Sequence, residues 1–426
     1  MGESISEHYD ESVRRNYRWN FAVNVGDLSF VNLARAFVFS TTILPLYVSY
    51  LTSSTILIGL IPAILEVGFL LPQIFMARRT ETLERMKPFI VRVSVWERVP
   101  YLIIAATMLL LPQAPVWLSY TLLAINITVA SGSGGLATPA WKTMLGKIIH
   151  PDRRGMLASL GIGIGGLMGI AGAYLTRFLL GRFPYPRSYA YCFALAFTGQ
   201  ALSWLFLTFN REPSRNLNPT HGSLREYLRG LPSFLRENRD FAFFLLSQIF
   251  VILGTLAITF YVLYGRERLG ISDEFAATLT MVALASQSLG TPVIGWFSDR
   301  FGHKSAIVGT TILQIAALLI MLILPGRYWL ALVFVLSTLS VSGMKVARFG
   351  ITMEFGRIEK LPTFTAIAGT LLSIPTLLAP VLGGWFVDVF GYRPSFVIAL
   401  VLSLIGMIMT LRGMRDPRKE KGRAKL

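Results

Sequence analysis

Polar positions along this chain are scarce and clumped. Between the clumps run apolar stretches of about 20 residues, the length an α-helix needs to cross a hydrocarbon core of about 30 Å. Twelve such stretches lie near 19–48, 54–77, 88–111, 116–143, 156–180, 189–209, 241–264, 272–298, 304–324, 328–353, 363–387 and 394–411. The connectors alternate in kind. "YLTSS", "LPQAP", "GRFPYPR" and "LPGRYW" are short Pro/Gly/Ser turns, whereas "ARRTETLERMK", "HPDRRG", "SDRFGHK" and "FGRIEKLP" are charged. The pattern predicts an all-α integral membrane protein with twelve transmembrane helices.

Composition agrees: the 426 residues are 53% hydrophobic and 15% charged, against about 25% charged in soluble domains. The net charge of +17 raises nucleic acid as a partner, but its distribution argues against that. With the N-terminus inside, 31 of the 40 Lys and Arg fall on the inner side and 7 on the outer, leaving Arg35 and Arg98 within spans. This is the positive-inside asymmetry, so both termini are expected in the cytoplasm of a cell-membrane protein. Residues 412–426 form a basic tail expected to lie along the anionic inner leaflet. The single cysteine, Cys192, excludes an intrachain disulfide and reads as packing. The first 20 residues show no cleaved signal peptide, and "MGESIS" fits a myristoylation pattern only by chance.

The longest polar connector divides the chain into a bundle over 1–210, a linker over 211–239 and a second bundle over 240–411. Within the linker, Leu224, Leu228, Leu231 and Leu235 recur at helical spacing among Arg225, Arg229 and Arg236, predicting an amphipathic surface helix bent at Pro232. The halves resemble each other: 170–199 aligns without gaps with 377–406 at an offset of 207. Two related six-span halves suit alternating access around a central site.

"GWFSDRFGHKSA" follows the eighth span, setting Gly295, Asp299, Arg300, Gly302 and Lys304 in a Gly-x-x-x-Asp-Arg-x-Gly-x-Lys pattern. This closely resembles the signature loop of the major facilitator superfamily, and the span count, the repeat and the basic central loop extend the likeness over the chain. "HPDRRG" and "REP" (211–213) also fit its habits. The resemblance implies two pseudo-symmetric six-helix bundles, and a cytoplasmic gate loop whose Asp299 docks near Gly155 and Met156. Gly295 is expected to let two helices approach closely. The first-half loop lacks the pattern, the fourth span has no Arg where drug–proton antiporters carry one, and the sugar-porter loop signatures are absent.

The charges inside the spans are the candidate chemistry. A mid-bilayer charge costs about 2.5–3.5 kcal/mol unless it meets a cavity or a partner. Counting along the helices puts Glu97 and Arg98 roughly 14 Å deep, Asp27 about 12 Å and Glu66 about 18 Å from the other face, with Arg35 shallower. Lys142, Lys345, Arg348 and Asp388 read as lying near cytoplasmic ends, and Arg177 near an outer end. In span 1, Asn24, Asp27, Asn32 and Arg35, flanked by Ser29, share one polar arc. The resemblance implies that spans 1, 4, 7 and 10 line a cavity, adding Asn126, Ser131, Ser133, Gln248, Thr255, Thr259, Ser337 and Ser340. Two readings of Glu97 and Arg98 stay open. In one they are structural: successive residues point about 100° apart, so each pairs with another span, for example Arg98 with Glu66. In the other they couple protons, since burial favours the protonated carboxylate and a nearby Arg opposes it.

Other motifs carry little. "GIGIGG" (161–166) satisfies a dinucleotide pattern but sits inside a span, where Gly161, Gly165 and Gly169 read as a helix-packing face. The four histidines form no metal spacing, and no phosphate loop or nucleophile elbow is present. The expectation is a monomeric, proton-coupled secondary transporter of a small solute, with no enzymatic activity, cofactor or metal. Its partners would be the solute, protons and membrane lipids. The alternatives are a lipid or amphiphile flippase on the same scaffold, and a non-transporting membrane sensor or partner-binding protein.

Overall fold

The computed structural model describes residues 2–81, 83–150, 153–214, 234–324, 326–355 and 361–413. The expected linker helix through Leu224, Leu228 and Leu231, and the tail beyond Gly413, lie outside the described residues. In chain order the helices are α1 (Gly2–Phe37), α2 (Ile43–Ser49), α3 (Thr55–Glu81), α4 (Lys87–Leu110), α5 (Val116–Ile148), α6 (Arg154–Arg182) and α7 (Arg187–Thr208). After the linker come α8 (Arg239–Leu253), a 3-10 stretch (Gly254–Phe260), α9 (Tyr261–Leu269), α10 (Asp273–Phe301), α11 (His303–Ile323), α12 (Arg327–Glu354), α13 (Leu361–Phe390) and α14 (Tyr392–Gly413). Eleven helical segments among the described residues are long and apolar enough to span a membrane, counting α8 to α9 as one. The first expected span, α1 with α2, is not among them; α1 is long but carries the polar arc.

Two compact units emerge, and two helices contribute to both. The first unit holds residues 1–51, 64–221 and 273–281; the second holds 52–63, 222–272 and 282–426. In the first, α1 packs on α6 and α7, and α4 packs on α5 and α7. In the second, the α8/3-10 stretch packs on α13 and α14, and α11 packs on α12 and α14. Span for span this is the same arrangement, as the 207-residue repeat requires. The repeat reaches single residues: a Cβ at Gly199 would meet Ala34 of α1 at 3.0 Å, and one at Gly406, its equivalent, would meet Val251 of α8 at 2.6 Å.

The glycine run of α6 is a packing face, as its spacing predicts. A Cβ at Gly161 would meet Leu28 at 2.6 Å, at Gly165 would meet Asn32 at 2.7 Å, and at Gly172 would meet Leu33 at 2.9 Å. Small residues thus bring α6 against α1 where lipid supplies no hydrophobic drive for helix association. Gly295 does not do this: a Cβ there has nothing nearer than Val346 at 4.0 Å. In the second unit Gly343 takes that role, against Ile294 and Thr310.

Asp388 corrects another expectation. It does not sit with the charged connectors. Its Oδ1 accepts from the Thr55 backbone N–H (2.9 Å) and hydroxyl (2.7 Å), and Oδ2 from Ser54 Oγ (3.1 Å) and Ile56 N–H (3.2 Å). It therefore lies at the end carrying "YLTSS", because α13 runs towards that end. There it supplies the carboxylate that the exposed N–H groups of α3 need. The start of α10 is held similarly in the first unit: Tyr50 and Tyr189 each donate to Asp273 at 2.8 Å, and Arg177 pairs with Glu274 at 2.9 Å.

Candidate functional site

The first unit gathers five polar side chains, four buried and Glu97 half-buried, from three helices that are otherwise oil. α1 supplies Asp27, 4% exposed; α4 supplies Glu97 and Arg98; α7 supplies Gln200 and Ser203. Ser203 Oγ donates to Asp27 Oδ1 at 2.6 Å. Arg98 Nη2 donates to the same hydroxyl at 3.3 Å, Nε to the Gln200 carbonyl at 3.0 Å, and Nη1 to the Ser94 carbonyl at 2.6 Å. Nη1 also reaches Glu97 Oε2 at 3.0 Å, with Arg98 and Glu97 side chains 7% and 22% exposed. A continuous polar chain results: Glu97, Arg98, Ser203, Asp27.

The expectation that neighbours on a helix cannot pair fails here. The Arg98 side chain folds back along α4 towards the preceding turn, as helical side chains do, and is held there by the Ser94 carbonyl. Its guanidinium then lies within reach of Glu97. The Glu97 carboxyl in turn lies against Gly134, where a Cβ would stand 3.1 Å from it. Arg98 is thereby paired without Glu66, which is half-buried elsewhere on α3.

Not every residue of the polar arc joins the cluster. Arg35 is exposed and makes no ion pair among the described residues. Asn24 is wholly buried and donates to Asn210 Oδ1 at 2.6 Å and to the Asn20 carbonyl at 2.7 Å, so it braces the end of α7 rather than lining a cavity. Asn32 is turned to α6 at Gly165 and bonds the Leu28 carbonyl, and Ser29 bonds the Val25 carbonyl. Asn126 is buried with a bond to the Leu122 carbonyl. In the second unit Gln248, Ser337, Ser340 and Thr259 are buried, and Thr255 lies in the 3-10 stretch bonded to the Ile252 carbonyl. Gln248 Oε1 and Ser340 Oγ are buried without a hydrogen-bond partner among the described residues, an arrangement proteins seldom tolerate. A seven-residue 3-10 run inside a long helix is also uncommon, and such stretches often mark hinges or strain.

Three contributors were missed from the sequence. Ser203 and Gln200 have one available signal, two polar residues three apart in an aromatic-aliphatic span. Trp141 on α5 has none; its indole N–H is turned to Asp27 but closes no hydrogen bond among the described residues. Glu212, within "REP", organises the charged-connector end of the unit. It accepts from the Met86 and Lys87 backbone N–H groups at 2.9 and 2.8 Å and from Lys147 Nζ at 3.3 Å.

In the second unit the Gly295–Lys304 loop turns at Gly302, whose φ of +94° favours glycine. Arg300 lies over Trp296 at 5.6 Å, and Lys304 Nζ donates to the Leu411 carbonyl at 3.1 Å. His303 bonds Ser298 through Nδ1 and faces Glu354 through Nε2 at 3.5 Å.

Residues 254–426 match the model of the family described as Major Facilitator Superfamily. A D-xylose–proton symporter shares the fold with a TM-score of 0.68 at 17% identity, over 94% of this chain and 99% of that one. The E. coli fucose:proton symporter does so at 0.61 and 14%, over 93% and 98%. A nucleoside transporter does so at 0.69 and 12%, over 92% and 98%. The Multidrug resistance protein B homolog of Mycobacterium tuberculosis is 24% identical over 134 residues, 32% of this chain and a quarter of the relative's length. The chain thus shares the fold of these solved transporters along its described length, and over residues 254–426 its sequence matches the Major Facilitator Superfamily model.

Proposed function

We propose that the chain is a secondary transporter that moves a small solute by alternating access and draws its energy from protons at Asp27 and Glu97. The observation that carries this is the buried chain from Glu97 through Arg98 and Ser203 to Asp27. Its ends are two carboxylates on different helices. Contacts from two other helices balance at Asp27: the Ser203 hydroxyl of α7 donates to it, and Arg98 of α4 reaches the same hydroxyl. A small relative shift of α1, α4 and α7 changes that balance, which is what coupling requires. Two of the similar structures are named as proton symporters, which supports the same energy source here. The loop through Asp299, Arg300 and Lys304 is the proposed gate on the cytoplasmic side, where both termini also lie, in the cell membrane.

The test uses proteoliposomes. Asp27→Asn and Glu97→Gln should each abolish uphill uptake driven by an imposed pH gradient while leaving exchange between equal pools intact. Uphill transport at the wild-type rate in both variants would remove these carboxylates as couplers.

A further inference from the structure

The first unit also contains a cleft of about 300 Å³. It lies between α5 and α6 near the charged connector that joins them, and reaches Leu28 of α1, the residue after Asp27. Leu28, Trp141, Leu145 and Leu157 give it apolar walls, and the cationic side chains lining it are Lys142 and Arg154. Both are exposed. The Lys142 ammonium has no protein partner among the described residues. Arg154 is anchored through Nε to the Ile149 carbonyl at 3.2 Å and through Nη2 to the Gly146 carbonyl at 2.7 Å, which leaves Nη1 uncommitted. No carboxylate lines the cleft among the described residues. Behind its wall, the Trp141 indole N–H is turned to Asp27.

We propose that this cleft binds a small amphiphilic organic anion, an aromatic or acyl monocarboxylate. Its apolar body lies against Leu28, Trp141, Leu145 and Leu157, and its carboxylate lies between Lys142 and Arg154. Charge selects the sign of the ligand: two cations on an apolar cleft, with no carboxylate among the described lining residues, disfavour a cation and penalise a neutral solute little. Size selects a single body. The cleft is at the lower bound of small-molecule sites, about 300–1,000 Å³, room for one bicyclic ring or short acyl chain and too little for a two-chain lipid. An anchored Arg also loses little freedom on binding, because its guanidinium is already fixed. Trp141 gives the aromatic face and its indole N–H is turned to Asp27, so the occupant and the proposed proton site share a side chain. Calling this ligand the cargo rests on the transporter reading; that it binds does not.

The experiment is equilibrium binding of tritiated 1-naphthaleneacetate to the purified full chain by scintillation proximity, with its amide and octanoate as competitors. The acid is expected to bind, octanoate to displace it, and the isosteric amide to bind about tenfold or more weakly, the scale of one charge-assisted hydrogen bond. Lys142→Gln and Arg154→Gln should each weaken the acid by a similar factor and leave the amide unchanged. Arg154→Lys keeps the charge while losing the carbonyl anchors, and should bind the acid better than Arg154→Gln. Trp141→Ala should weaken acid and amide together, with Trp141→Phe restoring both. Equal affinity for acid and amide, an acid affinity indifferent to both charge removals, or failure of both carboxylates to bind below millimolar concentration would overturn the proposal. So would displacement of the acid by phosphatidylglycerol in bicelles at equal potency, which would give the cleft to lipid. Carboxylate binding without uphill flux would overturn the transporter reading alone. Uphill flux of another solute with no carboxylate binding would overturn this site alone.

Discussion

Arg98 and Glu97 are unequal partners, and replacing each one measures it. Arg98 has four acceptors: the Ser94 and Gln200 carbonyls, Ser203 Oγ and the Glu97 carboxylate. Glu97 has one donor among these, Arg98, and its side chain is 22% exposed. Glu97→Gln leaves the guanidinium with three neutral acceptors and should cost about 1–2 kcal/mol, one charge-assisted hydrogen bond. Arg98→Met strands the Glu97 carboxylate, the Gln200 carbonyl and the Asp27–Ser203 pair together. Stranding one member of a buried pair costs about 3–5 kcal/mol, and the partial exposure of Glu97 sets this case near the lower figure. At about 1.4 kcal/mol per decade, that is roughly a hundredfold loss in the folded-to-unfolded ratio. The double variant should cost less than the sum of the two, with a coupling energy of about 1–2 kcal/mol. The assay is reversible unfolding in mixed micelles, followed by tryptophan fluorescence for the wild type and the three variants. An additive cycle, or a Glu97→Gln penalty as large as that of Arg98→Met, would refute the reasoning.

Two further outcomes follow from single positions. Glu212→Ala removes the acceptor for two α4 N–H groups and the carboxylate facing Lys147, whose side chain is 4% exposed. It should destabilise the first unit by about 2–4 kcal/mol, and Lys147→Met in the same chain should recover part of that loss in thermal unfolding. Gly165→Leu should prevent α6 from closing on α1, since even a Cβ would stand 2.7 Å from Asn32 Nδ2; a loss of about 1–3 kcal/mol or more is expected. Gly163→Leu, with nothing within 4 Å of its Cβ, serves as the control, and equal effects of the two in the same unfolding assay would contradict the packing described for this face.

Much of this protein could be read from order along the chain. Span length, connector chemistry and the Lys/Arg asymmetry are local sums over about 20 residues, and water and lipid act on them before any helix meets another. The repeat and the glycine face of α6 were legible for a related reason: both are periodic, and a four-residue step puts small residues on one side of a helix whatever lies opposite. The partner of each buried charge was not legible. Which side chain Arg98 meets depends on the rotation and height of α4 against α7, and these are set by packing across the whole unit. Arg98 is also long enough to fold back to its own neighbour, which counting residues around a helix does not anticipate. Asp388 shows the same division. Sequence placed it near a helix end; only the tertiary structure assigned it to the first turn of α3, where unsatisfied backbone N–H groups give an exposed carboxylate its partners.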